Sequence, residues 1–199
     1  MNKRFKEKFP TWVNDKESKY NLILGDDIDS LLSAIFLKSI NPNYEINCFY
    51  DFSNLYQIES NNLESIGSDI DWSHSIGKRC WSNHVTKINP NSSINPEAAN
   101  LNIINGISRE NYFRKYCGST LLQIISYYDI DISKFSEEAK MALLCIDVSF
   151  KGYYSGFQND NESNKYYLNE VLEFPELYNL QQKHSRQDFL DLIDKYKKS

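Results

Sequence analysis

Leu22-Ile-Leu-Gly-Asp-Asp-Ile-Asp-Ser-Leu-Leu-Ser-Ala34 decides the fold of this chain. Three apolar residues run into Gly25, three acids follow at Asp26, Asp27 and Asp29, and apolar residues then recur at Leu31, Leu32, Ala34, Ile35 and Leu37 with helical spacing. The segment reads as a buried strand turning at once into a helix. It therefore sets carboxylates at a strand's carboxyl end, where α/β proteins bind ligands. Tyr20 and Asn21 extend the strand backward, Asn41-Pro-Asn43 closes the helix, and Tyr44 to Tyr50 forms a second strand with Tyr44, Ile46, Cys48 and Tyr50 on one side. Strand, helix and strand with a crossover this short make a βαβ unit and imply a parallel sheet.

Working outward, Leu63 to Asp71 and Lys78 to Asn83 are two further strand candidates, each closing on polar residues at the same edge. Residues 87–111 are rich in Asn, Pro and Ser and read as a long irregular loop whose Ile103, Ile104 and Ile107 still require burial. Helices are expected at Ser119 to Tyr128, at Ser136 to Ile146 with Ser136 as cap, and from Ser185, where Ser-Arg-Gln-Asp188 resembles a capping box. Residues 158–165 read as a solvated loop. The expected fold is α/β, a mainly parallel sheet flanked by helices. It divides into an N-terminal arm or short packed extension at 1–19, an α/β domain at 20–155, and a helical C-terminal extension at 156–199 packed on that domain.

The chain's 199 residues suit one well-cored domain, and its net charge of −5 gives no global attraction to nucleic acid. Cys48, Cys80, Cys117 and Cys145 show no Cys-x-x-Cys pairing and lie in apolar surroundings, as expected of reduced thiols in a cytoplasmic protein. No apolar run approaches the ~18 residues of a membrane span, and the charged stretch Met1 to Lys8 has no apolar run behind it. No membrane association is expected.

The chemistry gathers in a few short words: Asp27-Ile-Asp29, Asp69-Ile-Asp71, Asn83-His84-Val85, Gly118-Ser-Thr120 and Ile146-Asp147-Val148. Acids at a helix start are favoured by about 0.3–1 kcal/mol each through the helix dipole. Three acids in four residues exceed what a cap requires. Asp147 between two aliphatic residues in an apolar helix needs a partner or a metal. His74 and His184 stand outside this register and read as surface or loop residues.

In order and approximate spacing these words resemble the catalytic domain of the DHH phosphoesterase superfamily, over residues 20–155. The resemblance implies a mainly parallel sheet and two divalent ions, Mn²⁺ or Mg²⁺, held by Asp27, Asp29, Asp69, His84 and Asp147, with Asp71 as an alternative to Asp69. It implies catalytic roles for Asp29, His84 and Asp147, and a phosphodiesterase acting on a small nucleotide, a cyclic dinucleotide or a short single-stranded oligonucleotide. Oxygen ligands with one imidazole suit those ions, and a pair of them about 3.5–4 Å apart polarises phosphate and activates water. The chain departs from the pattern where Asp-His-His has become Asn83-His84-Val85, which lacks the carboxylate and the second imidazole. Losing one transition-state donor typically costs about 10²–10³ in rate. The family's separate substrate-binding domain is also missing. These departures define the alternative, a weak or inactive relative that binds a nucleotide or a protein partner, for example as an inhibitor. Arg79, Lys87 and Arg114, together with Lys78, Arg109 and Lys115, are the nearby cations for substrate phosphate, and Tyr153-Tyr154 and Tyr166-Tyr167 are candidates for base stacking.

Overall fold

The computed structural model describes residues 1–198. In chain order its elements are α1 (Lys3–Lys6), β1 (Tyr20–Leu24), α2 (Ile28–Ile40), β2 (Tyr44–Tyr50), β3 (Leu55–Gln57), β4 (Ser65–Ser68), β5 (Cys80–Trp81), β6 (Ala98–Ala99), α3 (Leu101–Ile104), α4 (Thr120–Tyr127), α5 (Glu137–Cys145), α6 (Gln158–Tyr166), α7 (Pro175–Lys183) and α8 (Arg186–Lys197). The six strands form one sheet in the order β3-β2-β1-β4-β5-β6. All neighbours are parallel except β3, which runs antiparallel to β2 at one edge.

The chain leaves β1 toward β2 on one side and returns to β4 on the other, so the strand order reverses between β1 and β4. Crevices at such switch points are where open α/β sheets bind ligands. Asp26 and Asp27 follow β1, Asp69 follows β4, and Ser82 to His84 follow β5, all at the same edge.

β1 alternates faces as a doubly covered strand should. Leu22 belongs to the large core, whereas Ile23 joins Cys48 and Ile70 in a small second cluster with Tyr50 and Trp72. Gly67 in β4 lets the loop after it fold back. A Cβ there would sit 3.0 Å from Trp72 Nε1 and 3.1 Å from the Ile70 Cβ. Every core residue contributed by a helix belongs to the large cluster.

Several expectations hold in detail. Ser136 Oγ accepts from Ala139 N, and Ser185 with Asp188 forms a reciprocal capping box. Others are corrected. The two strand candidates shorten to β4 and β5, because their flanks turn away at Asp69 and Ser82. Residues 158–165 are not a loop but part of α6, held by the buried Asn164, whose Nδ2 donates to Gln181 Oε1 at 2.7 Å. Residues 87–111 are less irregular than expected, since β6 and α3 lie within them. Asp147 is not inside a helix: α5 ends at Cys145, and Asp147 opens a turn with φ of 52°. No helix among the described residues is long and apolar enough to cross a membrane.

Residues 1–19 are a packed extension. Phe5, Phe9, Trp12 and Val13 are buried in the large core, where Phe9 meets Trp81 and Tyr127 with ring centroids 5.7 and 4.8 Å apart. Phe9→Ala is expected to destabilise the protein by about 3–5 kcal/mol in urea denaturation, the usual loss for a buried ring. An unchanged midpoint would show that the segment is only draped on the surface.

Candidate metal centre

Asp29 sits in the first turn of α2 yet does not cap it, since that role falls to Asp27, whose Oδ1 accepts from Ser30 N at 2.8 Å. Asp29 is fully buried and points at α4 instead. Its Oδ2 accepts from Thr120 N at 2.7 Å and its Oδ1 from Leu121 N at 2.9 Å, with Ser33 Oγ at 3.3 Å. The carboxylate thus satisfies two free amides at the start of a buried helix, where the dipole favours an anion.

Asp69 leaves β4 in the left-handed region at φ 55°, and its Oδ1 accepts from Thr120 Oγ1 at 2.5 Å. Asp147 and Val148 are also left-handed, at φ 52° and 48°. For a β-branched residue such as Val148 this is a true outlier, and backbone strain of that kind gathers at functional sites. The result is convergence: carboxylate oxygens of Asp29, Asp69 and Asp147 all lie within 4.8 Å of one another.

Asn83 secures the third acid. Its Nδ2 donates to Asp147 Oδ2 at 2.9 Å and to the Gly118 carbonyl at 2.8 Å, while its Oδ1 is buried without a partner. Gly118 is required there, because a Cβ would fall onto the Tyr116 ring. His84 stands beside the three acids, half exposed, with Nδ1 2.7 Å from Asp71 Oδ2. With Nδ1 held by this carboxylate, Nε2 is the nitrogen a metal would take once it displaced the imidazolium proton, the arrangement by which a second carboxylate orients a metal-binding imidazole. Asp71 thus bonds His84 and lies outside the cluster of Asp29, Asp69 and Asp147. Its other oxygen, Oδ1, is buried with no partner.

Burial and mutual repulsion show in the proton affinities. Desolvation, followed by the neighbouring Asp69 charge, pushes Asp29 up to about 8. Desolvation likewise pushes Asp69 up to about 6, opposed by the Thr120 hydroxyl. His84 is raised to about 9, chiefly by its bond to Asp71. Three converging carboxylates, of which Asp29 and Asp69 have raised proton affinity, need either protons or a cation. Hard oxygen donors with an adjacent imidazole and two orphaned buried oxygens fit a divalent ion of the Mg²⁺ or Mn²⁺ type.

The structure thus brings Asp29, Asp69 and Asp147 together, sets Asp71 and His84 at their side, and keeps Asp27 at the rim as a cap whose charge is still felt at Asp69. Arg79 is elsewhere. It precedes β5 at the opposite edge of the sheet, bonded to the Tyr20 hydroxyl and to Glu64, so it does not face the acids. Lys87 is bridged to Ser108 along the backbone, and Arg114 is exposed beside Phe113. His74 and His184 are a loop residue and a surface partner of Glu137. Sequence reasoning did not find the roles of Thr120, Asn83 or Asn102, whose Nδ2 joins the Asn83 and Tyr116 carbonyls at 2.5 and 3.0 Å. An asparagine in an asparagine-rich stretch carries no spacing signal.

No family model, curated protein or solved structure matches the chain.

Without metal, the folded chain keeps protons on Asp29 and Asp69 that the unfolded chain releases near its ordinary value of 3.8. It also holds the His84 proton above the usual 6.5. All three shifts act in one direction, so stability in EDTA is expected to fall as pH rises from about 4 toward 9. Urea midpoints should show this decline, a shallower one in Asp69→Asn, and recovery on adding Mn²⁺ at pH 8. Identical profiles for wild type and variant would contradict the assignment.

Proposed function

We propose that this protein is a divalent-metal-dependent phosphodiesterase acting on a small nucleotide, a cyclic dinucleotide or a short single strand. The convergence of Asp29, Asp69 and Asp147 oxygens within 4.8 Å at the switch point of the sheet carries the reading. The orphaned oxygens of Asn83 and Asp71 support it, as does the resemblance of the ordered motifs to the DHH phosphoesterases. Under this reading Asp29, Asp69, Asp147 and His84 hold Mn²⁺ or Mg²⁺, with two ions expected. A divalent ion there supplies Lewis-acid polarisation of phosphate and a lowered pKa for bound water.

The chain's own groups do the positioning. Thr120 and Leu121 orient Asp29, the Thr120 hydroxyl orients Asp69, Asn83 orients Asp147, and Asp71 fixes the tautomer of His84. In the reaction one P–O bond forms to water's oxygen as the bond to the leaving alcohol breaks, and no covalent enzyme intermediate is needed. Val85, beside His84, presents no donor, so turnover is expected to be slow.

Manganese-dependent hydrolysis of bis-p-nitrophenyl phosphate tests this, with calorimetry of Mn²⁺ binding alongside. Asp147→Ala and His84→Ala are the informative variants, because both side chains are exposed and their loss leaves the core intact. Turnover by the wild type that drops at least about a hundredfold in Asp147→Ala, and falls in His84→Ala, is expected. Tight Mn²⁺ binding without any turnover would replace the enzyme by a nucleotide- or protein-binding scaffold. Absence of both signals would remove the metal centre.

A further inference from the structure

An open groove of about 450 Å³ runs between the segment before α4 and the C-terminal helices. Lys115, Lys151 and Arg186 line it, against a single acid, Asp160, whose Oδ2 accepts from Ser155 Oγ at 2.5 Å. Among the described residues neither Lys151 nor Arg186 has an ion pair or side-chain hydrogen bond, whereas Lys38, Lys183 and Lys195 are each paired with a glutamate. In a chain of net charge −5 this is a local reversal of sign. Two aromatic rings complete the wall: Tyr112 and Phe113 are 48 % and 46 % exposed. Lys115 Nζ donates to the Tyr112 hydroxyl at 2.7 Å, holding that ring in place.

Both walls lie close along the chain to residues of the candidate metal centre. Lys151 lies four residues after Asp147 in one turn-like segment, and four residues of chain span at most roughly 14 Å. On the other wall, Lys115 lies five residues before Thr120, which bonds both Asp29 and Asp69. Cys117 lines the groove, and the carbonyl of the next residue, Gly118, accepts from the Asn83 amide that holds Asp147, so groove and carboxylates lie near enough for one short strand to reach both. A positively charged track with aromatic platforms is how single-stranded nucleic acid is held without sequence preference.

We propose that this groove binds the portion of a short single-stranded oligonucleotide that flanks the cleaved phosphodiester. Lys151 and Arg186 neutralise the adjoining phosphates, and a base stacks on Tyr112 or Phe113. The proposal rests on the phosphodiesterase reading for the event at the carboxylates but not for the binding itself.

Fluorescence anisotropy of a fluorescein-labelled pentathymidylate tests it, in Mg²⁺ and again in EDTA, with Mn²⁺ binding measured separately by calorimetry. Lys151→Glu/Arg186→Glu is expected to weaken binding at least about tenfold and to flatten the log K against log salt slope by about 1 or more. Phe113→Ala or Tyr112→Ala should weaken it about tenfold through lost stacking. Lys16→Glu/Lys134→Glu, which makes the same charge change at exposed positions outside the groove, should change it little. Wild-type affinity and slope in the groove variant, or an effect matched by the control pair, would overturn the proposal, as would failure of the wild type to bind the probe. Binding in EDTA that depends on Lys151 and Arg186 in a protein that neither binds Mn²⁺ nor hydrolyses phosphodiesters would uphold the groove while discarding the enzyme.

Discussion

The carboxylate of Asp29, accepting the amides of Thr120 and Leu121, is the interaction on which the rest of the structure depends. Every residue of α4 is buried, so the N–H groups of its first turn have no water to bond. Ser119 Oγ takes the Leu122 amide, and the other two free donors, the Thr120 and Leu121 amides, reach across to α2. A carboxylate answers both at once and gains from the dipole. The same side chain that closes the end of α4 therefore brings an acid into the core beside Asp69 and close to Asp147. Under the proposed reading, capping and ligand provision are one act.

That arrangement stores repulsion and strain. Buried charges are tolerated only when hydrogen-bonded and paired, and here two buried acids, Asp29 and Asp69, meet the exposed Asp147 with hydroxyl and amide donors but no adjacent lysine or arginine ion pair among the described residues. The left-handed backbones at Asp69, Asp147 and Val148 add roughly 1–3 kcal/mol each by general experience. Neighbouring bonds hold them in place: Thr120 on Asp69, and Asn83 together with the Gly118 carbonyl on Asp147. A cation bound among the acids would relieve the repulsion, which ties metal binding to stability.

The front of the fold was legible because its signals are local. Leu22 to Leu24 running into Gly25 and the 3.6-residue pattern of α2 announce a strand, a turn and a helix, and the polar ends of β1, β4 and β5 announce a common edge. Asp27, Asp29, Asp69, His84 and Asp147, with Asp71 as an alternative to Asp69, were legible as a set only through the resemblance carried by their order along the chain, and of these the carboxylates of Asp29, Asp69 and Asp147 converge. What stayed hidden is long-range. The polar run Gln158–Tyr166 forms a helix because Asn164 finds Gln181 and Tyr167 packs on Tyr116, neither of which leaves periodicity in the sequence. The division of labour between Asp27 as cap and Asp29 as buried acceptor, or between Asp69 and Asp71, depends on which way each side chain turns. Arg79 was misplaced for a related reason. Nearness in sequence to His84 does not reveal that a strand separates the two, sending them to opposite ends of the sheet.

The central claim is a place in space, so the most direct measurement locates an ion. Crystals grown or soaked with manganese and measured at its absorption edge are predicted to show anomalous density enclosed by the carboxylates of Asp29, Asp69 and Asp147, with His84 swung onto it through Nε2. Clean density for the protein with no anomalous peak among those side chains, or with the three carboxylates closed on one another through shared protons, would contradict the account.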